Sequence, residues 1–370
     1  MIIRRLWVGG LCGIATLAGG AAGGAPNEIV PGVPAVELAV PKTVEQWESQ
    51  RERIRATLWQ LLGALPPRPK SLEAKTIERT RRPEGFAVEK IAFDNDAGAT
   101  VPGYLLVPDG LNGRAPAILY CHQHGGLYDV GKEEIFKKRP TPETPAVELT
   151  QRGYVVLAID AYCFGERSGR GPMGPGETGS AEEMTMSKLN LWLGRTLWGM
   201  MIRDDLIALD YLAARPEVDP RRIGVTGMSM GSTRAWWVAA LDNRPAAAVC
   251  VCCLTRYQDL IATGRLREHG IYYFVPGLLR HFDTEAVVAL IAPRPLLTLS
   301  GELDGGSPVG GVNKINAFAQ KVYDLSGNGD RFRGNVYPGV AHTYTPDMWR
   351  EMLDWFDRWL KREPRTGQVQ

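Results

Sequence analysis

Apolar positions along the chain alternate between short runs and longer amphipathic runs. The short runs have the length and β-branched character of buried strands, whereas the longer runs repeat apolar residues with a helical period. The predicted strands are 117–121, 154–160, 223–227, 246–252, 295–300 and 334–337. The predicted helices among and after them are 145–152, 197–214, 315–325 and 348–361. This alternation predicts an α/β fold with a mostly parallel central sheet covered by helices on both faces.

The residues before the alternation predict an N-terminal extension and an antiparallel edge. Thr43 and Gln46 form a capping box that begins a helix, which ends before Pro66. Two strand-like runs at 86–93 and 101–107 suit an antiparallel edge of the sheet. The expected units are a leader, an extension with a helix and one large α/β domain, at 1–25, 26–85 and 86–362.

Two long segments interrupt the alternation. Residues 165–190 are rich in Gly, Pro and Met, and residues 255–290 carry scattered aromatic side chains. Long segments of this kind in a compact domain are usually lids or binding loops. Both follow the carboxyl ends of strands, where open α/β sheets place their sites. We therefore expect lid-like loops over a site.

The first 25 residues have the features of an export signal. Arg4 and Arg5 supply positive charge, 6–18 form a short apolar run, and 21–25 offer small residues for cleavage. The run is too short and too rich in Gly to span a membrane well. The expectation is a periplasmic or secreted protein with no stable membrane partner; the alternative is a disordered or weakly anchored N-terminus.

Composition limits which binding partners and which cysteine pairings are expected. The net charge is +2 and no block of Lys and Arg is present, so nucleic acid is not an expected partner. The five cysteines after the leader are Cys121, Cys163, Cys250, Cys252 and Cys253. An odd number precludes complete pairing within the chain, and the last three lie in an apolar run that favours buried free thiols. A disulfide between Cys121 and Cys163 remains open.

One pentapeptide carries catalytic chemistry. Gly227-Met228-Ser229-Met230-Gly231 follows a predicted strand and precedes a helical run through Ala240, which is the context of a nucleophile elbow. A nucleophilic serine must stand clear of the sheet on a sharp turn, so its neighbours two residues away must be small. The following helix directs backbone N–H groups at an anion formed nearby. Ser229 is therefore the predicted nucleophile.

A serine nucleophile needs a general base and a carboxylate that orients the base. His342 lies between the last predicted strand and the last helix, and Asp304 lies on the loop after strand 295–300. This gives the order Ser, Asp, His along the chain. Glu302, two residues nearer the strand, is the alternative acid. The histidines of the second inserted segment, expected at the surface or in a pocket, are His269 and His281.

The loop after strand 117–121 is the predicted source of an oxyanion donor. The backbone N–H of Met230 is the first donor, and the second is the N–H of His124 or, failing that, of Gln123. The alternative is a metal site at His122 and His124, but two histidines are too few ligands. We expect neither a metal nor a cofactor.

Three side chains in or beside the inserted segments are candidates to bind substrate: Arg167, Trp198 and Tyr273. Stacked aromatic rings would suit sugars or aromatic acids. The alternative for the aromatic residues is core packing, since large rings dominate buried area. The alternative for Arg167 is an ion pair that holds its own loop.

Together these pieces resemble the α/β-hydrolase superfamily, and most closely its dienelactone-hydrolase-like, acetyl-xylan-esterase-like and prolyl-oligopeptidase-like branch. The matching pieces are 122–126, 160–167, 214–219, 292–296 and the loop of His342. The resemblance covers about Phe86 to Leu360. It implies an α/β-hydrolase fold, with 86–362 as the catalytic domain, and Ser-His-Asp hydrolysis of a small-molecule or carbohydrate ester.

Departures from the relatives leave the substrate open. Ser229 stands where a true dienelactone hydrolase has Cys, and Met230 stands where glucuronoyl esterases have Arg. The Arg-Gly-Gln-Gly oxyanion loop of carbohydrate acetyl esterases is absent from the sequence. A serine peptidase or amidase with the same triad is one alternative. A non-catalytic binding protein on the same scaffold is the other.

Overall fold

A nine-stranded sheet forms the centre of the protein. The computed structural model describes residues 28–30 and 33–361, so the predicted export signal at 1–25 lies outside the described residues. The strands of the sheet are β3 (Ala74–Arg82), β4 (Phe86–Asp94), β5 (Thr100–Pro108), β6 (Ala115–Cys121), β7 (Val155–Ile159), β8 (Val218–Met228), β9 (Pro245–Val251), β10 (Leu296–Gly301) and β11 (Phe332–Tyr337). Two short strands, β1 (Glu28–Val30) and β2 (Val33–Pro34), form a separate antiparallel pair.

The order of strands across the sheet is β11-β10-β9-β8-β6-β7-β5-β4-β3. Neighbours from β11 to β7 run parallel, and the pairs β7–β5, β5–β4 and β4–β3 are antiparallel. Leu119 of β6, for example, pairs with Leu157 of β7 on one side and Val225 of β8 on the other. The predicted mostly parallel sheet and its antiparallel edge are confirmed.

Helices cover both faces of the sheet. They are α1 (Val44–Leu62), α2 (Pro145–Gln151), α3 (Gly179–Trp192), α4 (Leu197–Ala214), α5 (Met230–Leu241), α6 (Tyr257–Ala262), α7 (Thr284–Ala289), α8 (Val309–Leu325) and α9 (Pro346–Leu360). Local sequence sets several of their beginnings. Thr43 accepts the Gln46 N–H at 3.3 Å before α1, and Thr196 accepts the Gly199 N–H at 2.8 Å before α4.

The two faces of the sheet bury two separate apolar clusters. Every residue of β6 and β7 is buried, and successive side chains point to opposite faces. Leu119 and Leu157 belong to the cluster that α1, α4, α5, α7 and α8 complete, whereas Ile118 and Val156 belong to the cluster under α2 and α9. Since each fully buried aliphatic side chain stabilises the fold by about 1.5–3 kcal/mol, these central strands anchor the site that follows them.

The sheet begins earlier than the sequence predicts. β3 lies within 26–85, the predicted extension, yet it pairs with β4 over its length, with Arg79 opposite Glu89. Its side chains are almost all exposed, so it shows no apolar alternation for a pattern search to find. Trp47 and Leu58 of α1 are also buried in the core. The extension therefore contributes both a strand and a core-packing helix to the main domain.

The two inserted segments are partly helical rather than irregular loops. α3 occupies most of the second half of 165–190, and α6 and α7 lie within 255–290. The stretch before α1 holds the second inserted segment, because Gln258 Nε2 donates to Val36 O at 3.1 Å and Arg256 pairs with Glu37 at 3.1 Å. No helix among residues 28–30 and 33–361 is long and apolar enough to cross a bilayer.

The five cysteines of the described chain are all free and buried. The disulfide that the sequence left open between Cys121 and Cys163 is therefore not formed. Cys121 ends β6 under the nucleophile elbow, and Cys163 lies in the turn after β7 with a left-handed φ of 70°.

Candidate active site

Ser229 occupies a strained turn between β8 and α5. Its φ of 59° and ψ of −122° are costly for a residue with a side chain, and its N–H donates to Val251 O at 2.9 Å. A Cβ on Gly227 or on Gly231 would collide with the carbonyl oxygen of Cys121 at the end of β6. The two glycines are thus required by the close approach of β6 to the turn, as the motif predicts.

A second strained turn, Cys252–Cys253, lies beside Ser229. It follows β9, the strand between β8 and β10, and both residues have positive φ, 59° and 50°. Cys253 Sγ is 3.7 Å from Ser229 Oγ. Within the described part of the chain, Ser229 Oγ forms no hydrogen bond with His342. Burial and the nearby Asp304 charge raise the pKa of Cys253 to about 12, so its thiol is protonated at neutral pH.

Asp304 and His342 form a hydrogen-bonded pair at the same edge of the sheet. Asp304 Oδ2 lies 2.8 Å from His342 Nδ1; the carboxylate is buried and the imidazole is 39% exposed. Asp304 follows β10 and His342 follows β11, and a Cβ on Gly301 would collide with carbonyl oxygens of the His342 loop. Because β8, β9, β10 and β11 are neighbours, their carboxyl ends bring Ser229, the two cysteines, Asp304 and His342 to one place.

The alternative acid, Glu302, has a different role in the structure. Its side chain is exposed and accepts the Gly339 N–H at 2.9 Å. This hydrogen bond connects residues 302–308, which we call the acid loop, to the His342 loop. Glu302 makes no hydrogen bond to His342 among the described residues. Of the two carboxylates on this loop, Asp304 is the one that faces the imidazole.

His269 is a site residue whose position the sequence did not specify. Its Nε2 lies 2.8 Å from Gly306 O on the acid loop, and its ring stacks on Tyr273 with centroids 4.6 Å apart. Burial lowers the pKa of His269, so the ring is neutral at neutral pH. His269 therefore packs against the loop that carries Asp304.

The 122–126 loop follows β6 and carries the predicted oxyanion donors. Gln123 N–H donates to Glu134 Oε2 at 3.1 Å, so this N–H is occupied and His124 remains the donor of the two that we retain. His122 is buried, and its Nε2 accepts the Ala161 N–H at 3.1 Å while Nδ1 faces Gln123 O at 2.8 Å. His124 Nε2 lies 3.0 Å from Glu183 Oε1. The two ring systems are thus engaged within the protein rather than directed at a common ligand.

The residues predicted to bind substrate are buried, and their contacts agree with the alternatives of an ion pair and of core packing. Arg167 donates to Asp160 O at 3.1 Å and to Asp204 Oδ2 at 2.9 Å, so its guanidinium holds the loop after β7. Trp198 has no exposed surface, and Tyr273 is 4% exposed. The ring of Tyr273 stacks on His269 and contacts Trp198 edge to face, so both aromatic side chains form the floor beneath the site.

Comparison with known families agrees with this geometry. A model described as the Abhydrolase family matches residues 31–352. The chain belongs to the Abhydrolase family. A Bacillus subtilis protein that carries the name hydrolase YtaP is 40% identical over 313 residues, which cover 84% of this chain and all of that protein. The resemblance to α/β-hydrolases is therefore confirmed, and the match begins in the extension rather than at Phe86.

Solved structures share the fold of this hydrolase at low sequence identity. A Bacteroides fragilis protein described as an acetyl xylan esterase has a TM-score of 0.67 at 22% identity, over 84% of this chain and 79% of that chain. A glucuronoyl esterase from Solibacter usitatus has a TM-score of 0.62 at 19% identity, over 90% of this chain and 96% of that chain. At these identities the likeness establishes a common fold.

Proposed function

We propose that this hydrolase cleaves carboxylic esters, with Ser229 as nucleophile, His342 as general base and Asp304 as the carboxylate that orients the base. The observation that carries the proposal is the 2.8 Å contact between Asp304 Oδ2 and His342 Nδ1. A proton held on Nδ1 leaves Nε2 free to accept one from the nucleophile. The left-handed elbow at Ser229, at the same edge of the sheet, supports the assignment.

In the proposed reaction, Ser229 Oγ first turns from Cys253 toward His342. His342 takes the hydroxyl proton as Oγ attacks the ester carbonyl, and Asp304 stabilises the imidazolium. The imidazolium then donates this proton to the leaving alcohol, and an acyl-Ser229 intermediate remains. Water, deprotonated by the same imidazole, hydrolyses the intermediate and restores the enzyme.

We propose the backbone N–H groups of Met230 and His124 as the oxyanion donors. Met230 begins α5, so its N–H lies at the positive end of the helix dipole, where developing negative charge is stabilised. His124 lies on the loop that follows the neighbouring strand β6. Both donors are backbone groups, and backbone donors held in place suit a site that must not reorganise during the reaction.

A carbohydrate ester or another small-molecule ester is the proposed substrate. The support is that proteins of the same fold are described as acetyl xylan and glucuronoyl esterases. Acetyl is the acyl group to test first.

Residues 1–25 have the features of an export signal, so we also propose a periplasmic or secreted protein. Recovery of a form shortened near residue 26 from the periplasm or medium would support export, and a full-length cytoplasmic form would contradict it.

The nucleophile is tested with Ser229→Ala, and with Cys253→Ala and Ser326→Ala as controls. Ser229→Ala should abolish labelling by a fluorophosphonate probe and lower kcat on p-nitrophenyl acetate by several orders of magnitude. Cys253→Ala removes the neighbouring thiol, and Ser326→Ala removes an exposed serine at the end of α8; both should still be labelled. Labelling that persists in Ser229→Ala would refute the assignment, and a wild-type protein that is never labelled would favour a binding protein.

The substrate class is tested with a panel measured on wild type and Ser229→Ala. Acetylated sugars, feruloyl esters, lactones, short acyl esters and aminoacyl amides are compared by kcat/KM. The proposal predicts that a carbohydrate or small-molecule ester gives the highest value and that Ser229→Ala cleaves none of them. Faster cleavage of aminoacyl amides than of all esters would instead identify a peptidase or amidase.

A further inference from the structure

Glu183 is a buried carboxylate on α3, in the first inserted segment, with 2% of its surface exposed. Its Oε1 accepts from His124 Nε2 at 3.0 Å, and its Oε2 accepts from the Tyr128 hydroxyl at 3.0 Å. Among residues 28–30 and 33–361, no Lys or Arg lies within ion-pair distance of it. A carboxylate buried without a cation is costly, and such exceptions are expected at functional sites.

The imidazole of His124 is held by hydrogen bonds at both ring nitrogens and by neighbouring aromatic rings. Its Nδ1 accepts the Gly126 N–H at 3.0 Å, so the proton is on Nε2 and is donated to Glu183. The ring stacks on Tyr272 with centroids 5.0 Å apart and meets Tyr128 edge to face at 5.0 Å. A ring held in this way restricts the backbone of the same residue, and that backbone carries the proposed oxyanion donor.

Both inserted segments converge on this hydrogen bond. α3 of the first segment supplies Glu183, and the second segment supplies Tyr272, which stacks on the His124 ring. A Cβ on Gly270 would lie 3.3 Å from Glu183 Oε2, so the second segment also packs against the carboxylate. The two inserted segments therefore meet at Glu183 and His124, and His124 belongs to the 122–126 loop.

We propose that Glu183 is a positioning residue. By holding the imidazole of His124, it keeps the backbone N–H of the same residue in place for the oxyanion, so α3 contributes to catalysis through this contact. This inference rests on the proposed ester hydrolysis at Ser229. Glu183 itself touches neither substrate nor the reacting atoms in this proposal. It acts through His124, so its loss should weaken stabilisation of the tetrahedral intermediate more than binding of the ester.

The test compares Glu183→Ala and Glu183→Gln with wild type, and uses Glu177→Gln as the control. Glu183→Ala should lower kcat on p-nitrophenyl acetate by about 10- to 100-fold with KM within about twofold, because a displaced donor loses part of its effect on the oxyanion. The inhibition constant of phenylboronic acid, which forms a tetrahedral adduct with the serine, should rise by the same factor. Glu183→Gln keeps an amide oxygen for His124 and should lose less, by about three- to tenfold.

Glu177 is the matched control because it is also a glutamate and lies just before α3. Its carboxylate accepts a hydrogen bond from a side chain too, that of Thr185, at 2.9 Å. Glu177→Gln should leave kcat, KM and boronate inhibition unchanged. Unchanged kcat and boronate inhibition in Glu183→Ala would overturn the inference. Equal losses in kcat/KM and ester binding, together with a lower Tm and a fully active Glu183→Gln, would overturn it as well, because they would indicate a purely structural role.

The outcomes separate this inference from the proposed function. If the wild-type protein is labelled by the fluorophosphonate and cleaves the ester, but the Glu183 variants behave as wild type, only the positioning role fails. If the wild type is neither labelled nor active, the proposed hydrolysis fails, and the role of Glu183 fails with it.

Discussion

Glu134 is a buried carboxyl group beneath the 122–126 loop. Its Oε1 accepts from the Tyr120 hydroxyl at 2.8 Å, and its Oε2 accepts from the Gln123 N–H at 3.1 Å. Burial raises the pKa of Glu134 from 4.5 to about 7, although both hydrogen bonds favour the ionised form. The folded protein therefore holds this proton at pH values at which the unfolded chain has released it.

The perturbation is Glu134→Gln, which keeps the shape and removes the titration. A pKa difference of this size corresponds to about 3 kcal/mol of free energy of unfolding. Because the pKa is raised in the folded state, the stabilisation is fully present below pH 4.5 and is lost as the pH rises to about 7. The free energy of unfolding of the wild type minus that of the variant should therefore fall by about 3 kcal/mol between about pH 4 and 8.

Urea denaturation of the two proteins across this pH range measures the difference. Subtraction of the variant curve removes the contributions of other titrating groups, because both proteins share them. A difference that stays flat with pH would contradict the prediction, because it would show that the pKa of Glu134 is the same in the folded and the unfolded protein. A difference that rises with pH would refute the reasoning, since it would require a pKa below that of the unfolded chain.

Two further predictions concern the acid and the core behind the elbow. Asp304→Asn should lower kcat on the order of 10³- to 10⁴-fold because the imidazole loses the partner that sets its tautomer, whereas Glu302→Gln should stay within about twofold. Steady-state kinetics on p-nitrophenyl acetate compares them, and equal losses would contradict the choice of Asp304. Arg234 pairs with Asp205 in the interior at 2.9 Å, so Arg234→Met should lower the free energy of unfolding by about 3–5 kcal/mol by leaving a buried carboxylate unpaired. Asp205→Leu in the same chain should recover much of that loss in chemical denaturation, and a single variant as stable as wild type would refute the argument.

The parts of the fold that follow from local sequence were predictable. Buried strands such as β6 and β7 are continuous apolar runs, and Thr43 marks the beginning of α1 through a cap that the structure confirms. The order of Ser229, Asp304 and His342 along the chain predicted that each follows a strand of one parallel sheet, and they follow β8, β10 and β11. Because β10 and β11 are parallel neighbours in the sheet, the loops that follow them bring Asp304 and His342 together.

Contacts between distant segments were not predictable in this way. Glu183 meets His124 across 59 positions of the chain, and neither hydrophobic period nor motif encodes that contact. His269 likewise contacts Gly306, which lies 37 positions further along the chain. Arg167 and Trp198 were expected to bind substrate because charged and aromatic residues serve both binding and packing, and only burial separates the two uses.

The exposed strand β3 also determines how the sheet ends. Among residues 28–30 and 33–361, no strand pairs with its outer edge, and such an edge is a template for a strand of another molecule. Lys75, Glu78, Arg79 and Arg81 are exposed along it, and the pairing with β4 shifts register between Thr76 and Glu78. A strand added at this edge would have to desolvate those charges and follow an irregular backbone, both of which disfavour sheet extension. The exposed charges give β3 no apolar alternation, so the sequence pattern did not predict this strand. The same charges disfavour edge-to-edge aggregation of the protein.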